Sequence, residues 1–323
     1  MKINFCAQQH STNQNTNLKK EKNKGIIAGY LVNRVISNQI PVVSSMLFLP
    51  VMKKISNSIT PKEADIISDA LEIAIEKSNI KHKGLNVFHV SEENINEVTQ
   101  KYTEMFMNSK MTKFFTKFYG EDSAFERCIR GSFKPRMEYY AKEVQNGKNA
   151  FFLANGINTI MLPQKGKGMQ LASFHELGHA LNYNFGSVTK ILQSSRQFAY
   201  IFGTLAVLLS TLTLKDKTNA VDENGNKKKG VRQFIKNHAG LIAAASMLPT
   251  TIEEGVATLK GDKLAKDALK NSPSLLKKMR LTNAVGFSSY IIAMLITGLT
   301  AHCTVKVKDK IQENYENKCK SIN

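Results

Sequence analysis

The spacing of hydrophobic and polar residues predicts helices over much of the chain and strands in a few short runs. A capping box with proline at the first helical position begins a helix at Thr60. Two further amphipathic helices are predicted over 93–119 and 125–144, the second interrupted by Pro135. A short strand is predicted at 87–90. The first half of the chain is therefore mainly helical.

The pattern changes after residue 148, where two short apolar runs of the β type follow each other. Residues 150–153 and 157–162 flank the turn dipeptide Asn155-Gly156, and this arrangement predicts a β-hairpin. A glycine- and lysine-rich loop, 164–168, then leads into another helix. Helical segments combined with one small sheet predict an α+β fold that is mostly helical.

Four stretches of the chain are long, apolar and almost without charge: 25–52, 197–214, 239–252 and 284–305. The last has basic flanks and is uncharged for about 22 residues, so it is the best candidate for a membrane-spanning helix, which needs about 20 apolar residues. The first and third contain proline, and the third is short. A buried or interfacial helix therefore remains open for both of these stretches.

The charge balance indicates an anionic partner. Lys and Arg number 45 against 26 Asp and Glu, a formal charge of +19, which favours either nucleic acid or a membrane surface. Many of the basic residues flank the apolar stretches, and none belongs to a recognisable nucleic-acid-binding module. Anionic lipid, at the cell membrane, is therefore the predicted partner, and nucleic acid is not. The 42% share of hydrophobic residues excludes wholesale disorder, and a mean hydropathy of −0.25 excludes a polytopic transporter.

The sharpest chemical signal is the HExxH motif His175-Glu176-Leu177-Gly178-His179. Positions i and i+4 share one face of a helix, so His175 and His179 can direct ring nitrogens at one metal ion. Glu176 lies beside that face and can reach a water on the metal but not the metal itself. Because zinc lowers the pKa of such a water towards about 7 and a carboxylate can accept its proton, the motif predicts one Zn²⁺ per chain and hydrolytic chemistry. The alternative is a buried histidine pair with hydrogen bonds inside the helix.

A hydrolytic zinc site needs a third protein ligand. No histidine follows His179 until His238, so a carboxylate is the remaining option, and the adjacent Glu253 and Glu254 supply two. The residues alone leave either glutamate open as the ligand. A second interpretation is that the two glutamates are solvated residues at the start of a helix and bind no metal, because acidic residues favour helix N-termini.

Taken together, the run Asn149-Ala150-Phe151, the strand after it and the His-Glu-Leu-Gly-His-Ala helix resemble the core of the gluzincin metallopeptidases. The layout is most similar to the membrane-associated branch that contains the CAAX prenyl endopeptidases and the HtpX-like quality-control proteases. In that branch two apolar helices separate HExxH from a Glu-x-x-Ala-Asp motif. Here 197–214 and 239–252 occupy the interval, and Glu254 to Thr258 match the motif except at its last position. The resemblance covers about a third of the chain.

The resemblance implies a role for each matching residue. His175, His179 and Glu254 would be the zinc ligands and Glu176 the general base, with Glu253 as an alternative ligand.

The resemblance also implies a place for the substrate. Asn149, Ala150 and Phe151 would form an edge strand that pairs with an extended peptide, since an edge strand presents unpaired backbone groups. Thr258 stands where the family has an aspartate that orients a ligating histidine. Its hydroxyl would orient the histidine here by accepting a hydrogen bond.

These observations predict a membrane-associated zinc endopeptidase with a zincin-like core, acting on peptide or protein substrates through metal-activated water. Two alternatives stay open: a non-catalytic membrane-associated protein with a degenerate or structural zinc site, and a soluble zinc metallopeptidase whose apolar stretches are buried helices. The predicted organisation is a disordered basic tail (1–24), an apolar membrane-associated segment (25–58), a helical scaffold (59–147), a zincin core (148–265) interrupted by an apolar hairpin (197–252), and a C-terminal apolar helix with a basic tail (266–323).

Overall fold

The structure, a computed structural model, describes residues 48, 50–109, 112–113, 116–117, 124–147, 149–154, 158–164, 170–195 and 231–320. The predictions for 1–24, for 197–214 and for most of 25–58 lie outside these residues. The chain divides into two compact units. The sheet unit comprises Met46–Arg196 and Pro249–Tyr290, and the helical unit comprises Met1–Ser45, Gln197–Leu248 and Ile291–Asn323.

The described residues are mostly helical, with a small sheet, as the predicted α+β class requires. The helices are α1 (50–57), α2 (Pro61–Lys77), α3 (Ile95–Met107), α4 (Ala124–Gln145), α5 (Ser173–Phe185), α6 (187–195), α7 (Val231–Asn237), α8 (Ala239–Ser246), α9 (Leu248–Ala268) and α10 (Pro273–Lys320). Short 3-10 helices precede β1 and α5, at Ile80–Lys83 and Gln170–Ala172.

The sheet has three strands in the order β1-β3-β2, formed by Asn86–Val90 (β1), Phe151–Leu153 (β2) and Thr159–Pro163 (β3). β2 and β3 are antiparallel, so the predicted hairpin is confirmed. β1 pairs with β3 in parallel. The strand predicted within the helical scaffold therefore shares one sheet with the hairpin, and the two regions form a single unit.

Alternate residues of the central strand enter two separate hydrophobic clusters, as the two-residue period of a strand requires. Ile160 and Leu162 belong to a cluster with residues of α2 and α5, whereas Met161 belongs to one with residues of α3 and α4. All five residues of β3 are buried. The sheet thus lies between α2 and α5 on one face and α3 and α4 on the other, which fixes α5, the helix of the HExxH motif, against a rigid core.

The start of α2 confirms the predicted capping box. The backbone N–H of Glu63 donates to Oγ1 of Thr60 at 3.3 Å, and the backbone N–H of Thr60 donates to Oε2 of Glu63 at 2.8 Å. Nζ of Lys278, on α10, donates to Oε1 of Glu63 at 3.0 Å. This cap therefore also joins two helices of the sheet unit.

The predicted interruption at Pro135 is wrong, because α4 continues through this residue from Ala124 to Gln145. An internal proline removes one helical hydrogen bond. The buried positions Met137, Ala141 and Val144 anchor the following turns in the cluster they share with α3. Tertiary packing therefore outweighs the local preference of proline.

Two of the apolar stretches lie among the described residues. The stretch 239–252 does not form a single helix, since α8 ends at Ser246 and α9 begins at Leu248. The stretch 284–305 lies inside α10. The portion Pro273–Lys310 of α10 contains an 18-residue window with a mean hydropathy of 1.7, of which 17% is buried, and by length and composition could cross a membrane. It is the one such helix among the described residues.

Within the helical unit, α8 lies close to the C-terminal part of α10. A Cβ atom on Gly240 would lie 2.8 Å from the carbonyl oxygen of Gly298, and one on Gly298 would lie 2.9 Å from that of Gly240. Small residues permit such close approach of helices in membranes. Nζ of Lys236 lies 2.6 Å from Oδ1 of Asp309, which adds an ion pair in the same unit.

Candidate metal centre

Two helices of the sheet unit, α5 and α9, are in backbone contact at two glycines. A Cβ atom on Gly178 would collide with the carbonyl oxygen of Ala257, and one on Gly261 would collide with the carbonyl oxygen of Phe174. Because glycine lacks this atom, the two helices approach closely enough for side chains to meet between them. The glycine inside the HExxH motif is thus required by the packing of α9.

Three side-chain atoms converge between these helices. Nε2 of His175 lies 3.0 Å from Nε2 of His179 and 3.1 Å from Oε2 of Glu254. Nε2 of His179 lies 3.3 Å from the same Oε2 atom. Ligand atoms of tetrahedral zinc, with bonds of about 2.0–2.2 Å, are about 3.3–3.6 Å apart. The triangle is therefore within a few tenths of an ångström of the size that one zinc ion needs.

The second nitrogen of each imidazole has a hydrogen-bond partner that is compatible with a proton on that nitrogen. Nδ1 of His179 lies 2.8 Å from Oε1 of Glu253, and Nδ1 of His175 lies 3.2 Å from Oγ1 of Thr258. An ionised carboxylate only accepts hydrogen bonds, and a hydroxyl can accept one. We therefore assign the proton of each neutral ring to Nδ1, which leaves a lone pair on each Nε2.

With these tautomers the centre fits a divalent cation. Two imidazole lone pairs and one carboxylate oxygen face each other, and Glu254 and His179 are both buried. Acceptors held together in this way repel one another electrostatically. A cation among them removes the repulsion. Two histidines and one carboxylate are a ligand set that zinc accepts.

Glu253 has a position distinct from that of Glu254, although the two are adjacent and both fully buried. Its Oε1 atom contacts Nδ1 of His179 at 2.8 Å and accepts from Nδ2 of Asn182 at 2.9 Å. In the amide orientation that satisfies its neighbours, Gln193 donates to the same Oε1 at 2.7 Å and to the carbonyl oxygen of His179 at 3.1 Å. Glu253 therefore orients His179 from the side of the ring opposite to Nε2.

Glu176 is the third carboxylate of the centre. Its Oε2 atom accepts a hydrogen bond from the backbone N–H of Phe152 at 2.7 Å. Burial raises the pKa of Glu176, and this effect outweighs the opposing influence of His179 and His175. The carboxyl group is thus held beside the two histidines in surroundings that favour its protonated form more than water does.

The strand next to Glu176 differs slightly from the predicted substrate strand. β2 begins at Phe151, so Asn149 and Ala150 precede it rather than belong to it. The backbone N–H of Ala150 donates to Oδ1 of Asn149 at 2.9 Å. Phe152 pairs with Ile160 in the register of the sheet, but its N–H points to Glu176. This side of β2 therefore faces Glu176 and the candidate site, away from β3.

Two residues that contact Glu253, Asn182 and Gln193, were not predicted from the sequence. Asn182 follows His175 by seven residues, which is two helical turns, so its position on the same face of α5 could have been inferred. Gln193 lies on α6, and its contact with Glu253 depends on how that helix folds back. No feature of the sequence indicates this contact.

Comparisons of this chain with protein-family models, with curated proteins and with solved structures found no match.

Proposed function

We propose that this chain is a membrane-associated zinc endopeptidase with a zincin-like core of the gluzincin type. His175, His179 and Glu254 would hold one Zn²⁺. The observation that carries the proposal is the convergence of two imidazole nitrogens and one carboxylate oxygen within 3.3 Å of one another. Three protein ligands are the number found in hydrolytic zinc sites, whereas structural zinc sites have four.

The chain's own residues account for the proton transfers. When bound, zinc supplies Lewis-acid catalysis and makes water a nucleophile at neutral pH. Glu176 accepts a proton from the attacking water as the carbon–oxygen bond forms. It then passes this proton to the amide nitrogen as the carbon–nitrogen bond breaks. The raised pKa of Glu176 suits a group that must both accept and release a proton.

The substrate would lie along β2. An extended peptide can add to the side of a sheet through backbone hydrogen bonds. The backbone N–H of Phe152 donates to Oε2 of Glu176 at 2.7 Å. A peptide paired with this strand would therefore have its scissile carbonyl beside the general base and the three ligands.

The membrane part of the proposal has separate support. The apolar portion of α10, Pro273–Lys310, is long enough to span a bilayer. The formal charge of +19 favours anionic lipid as the neighbouring surface.

Metal analysis and a Glu176→Gln variant test the enzymatic part. The purified wild type should contain about one zinc per chain, as a single three-ligand site requires, and should cleave casein that carries a quenched fluorophore. Glu176→Gln should keep the zinc and lose the cleavage. Glu72→Gln, an exposed glutamate on α2, serves as the matched control and should keep both.

The alternatives give different results. Zinc at one per chain without cleavage by the wild type would indicate a structural or degenerate site. Absence of zinc would refute both versions of the centre. Carbonate extraction of membranes tests the location, because a soluble peptidase leaves the pellet and an integral one stays in it.

A further inference from the structure

The sheet unit carries an exposed apolar patch immediately after α5, the helix of the HExxH motif. Phe185 at the end of α5 is 47% exposed, and Val188 and Ile191 on α6 are 71% and 68% exposed. Val188 and Ile191 are three residues apart, so they lie on one face of α6. We call these three side chains the α6 patch. Large apolar side chains exposed together mark a surface that meets an apolar partner.

Lysines accompany the aromatic residues at this surface. Nζ of Lys83 lies 5.8 Å from the ring centre of Phe185, and Nζ of Lys190 lies 4.8 Å from the ring centre of Tyr183. Lys81 and His82 are exposed in the same 3-10 helix as Lys83. Lysine side chains extend their apolar stems along such surfaces and place their charge at the polar boundary. Exposed apolar side chains bordered by lysines are typical of surfaces that bind the interface of an anionic bilayer.

The sequence that follows the α6 patch points to the same partner. The described part of α6 reaches residue 195, and the uncharged run 197–214 begins two residues later in the sequence. A chain covers at most about 3.3–3.6 Å per residue, so Ile191 lies within about 20 Å of the start of that run. If the run enters a bilayer, the α6 patch has to be near its surface.

We propose that the α6 patch docks on the surface of an anionic lipid bilayer, with Phe185, Val188 and Ile191 in the interface and Lys83 and Lys190 at the lipid phosphates. The proposal rests on the membrane association in the proposed function, but not on the metal. Docking holds the C-terminal end of α5 at the bilayer surface.

The absence of tryptophan from the sequence permits a direct test. Single tryptophans are introduced into the full-length protein by Val188→Trp and Ile191→Trp. Ile73→Trp is the matched control, since Ile73 is also an exposed aliphatic residue at 42% but lies on α2 among Asp69, Glu72 and Glu76. Leu295→Trp, within the apolar part of α10, reports whether this helix inserts into the membrane, separately from docking of the α6 patch.

Each variant is reconstituted into vesicles of phosphatidylcholine and phosphatidylglycerol, with and without brominated acyl chains. Tryptophan at 188 or 191 should be quenched about twofold by bromine, because interfacial side chains lie about 5–10 Å deep, and tryptophan at 73 should not. Lys83→Glu combined with Lys190→Glu should reduce this quenching, and should reduce it more in phosphatidylglycerol than in pure phosphatidylcholine.

Equal quenching at positions 188, 191 and 73 would overturn the proposal. A blue-shifted emission at 188 without quenching by bromine would also overturn it, since that result indicates contact with protein instead of lipid. Quenching of Leu295→Trp without quenching at 188 and 191 would leave the membrane helix intact and remove only the docking surface. Loss of quenching at 295 would contradict the membrane association itself.

Discussion

The assignment of Glu253 as the group that orients His179 is tested by Glu253→Gln. Three hydrogen-bond contacts, with His179, Asn182 and Gln193, meet Oε1 of Glu253 at 2.7–2.9 Å. A glutamine can place its carbonyl oxygen there and accept the same three hydrogen bonds. The substitution therefore removes the negative charge while it retains the geometry.

The size of the effect follows from the burial of this carboxylate. Glu253 is fully buried, so solvent does not screen its charge. Loss of an outer-shell partner of a ligating histidine typically lowers metal affinity about 10–100-fold, or about 1.4–2.7 kcal/mol. We expect a loss in this range for Glu253→Gln and a larger one for Glu254→Gln, because the latter removes a direct ligand.

Zinc affinity is measured by competition with a chromophoric chelator, with Glu72→Gln on the surface of α2 as control. Two outcomes would refute the reasoning. A loss for Glu253→Gln as large as that for Glu254→Gln would make Glu253 a ligand. An unchanged affinity would mean that its charge does not act through His179.

Three further changes test other parts of the structure. Gly178→Ala should disturb the contact of α5 with Ala257 and destabilise the protein by about 1–3 kcal/mol, the usual cost of overpacking, in denaturant unfolding. Thr258→Asp should raise zinc affinity, since a carboxylate on Nδ1 of His175 increases ligand basicity; lower affinity at unchanged stability would count against this. The pKa of Glu63 is lowered by the backbone hydrogen bond from Thr60 and by Lys278. Its contribution to stability is therefore present above the unfolded pKa of about 4.3 and declines as pH falls through the lower folded value. Thermal melts of Glu63→Gln should show a weaker decline over that acidic interval than wild type.

Several features of the fold followed from local sequence. The capping box at Thr60 acts over a few residues, and the helix that it predicts begins there. The two apolar runs that predicted a hairpin pair as antiparallel strands. The spacing of the two histidines is likewise local, because i and i+4 share a face in any α-helix.

Other features depended on packing between distant segments. The helix α4 continues through Pro135 because buried residues beyond the proline anchor its next turns. The parallel pairing of β1 with β3 joins residues far apart in the chain, and a strand pattern does not specify its partner.

The sequence by itself predicted that His175 and His179 can face one ion and left either of two adjacent glutamates open as a third ligand. Only the tertiary structure shows which histidine atoms each glutamate contacts. Adjacent residues of a helix point about 100° apart, so one docked helix cannot present both to the same atoms. The close contact of α9 at Gly178 and Gly261 sets its rotation. Glu254 therefore meets the two Nε2 atoms, while Glu253 reaches the far side of His179.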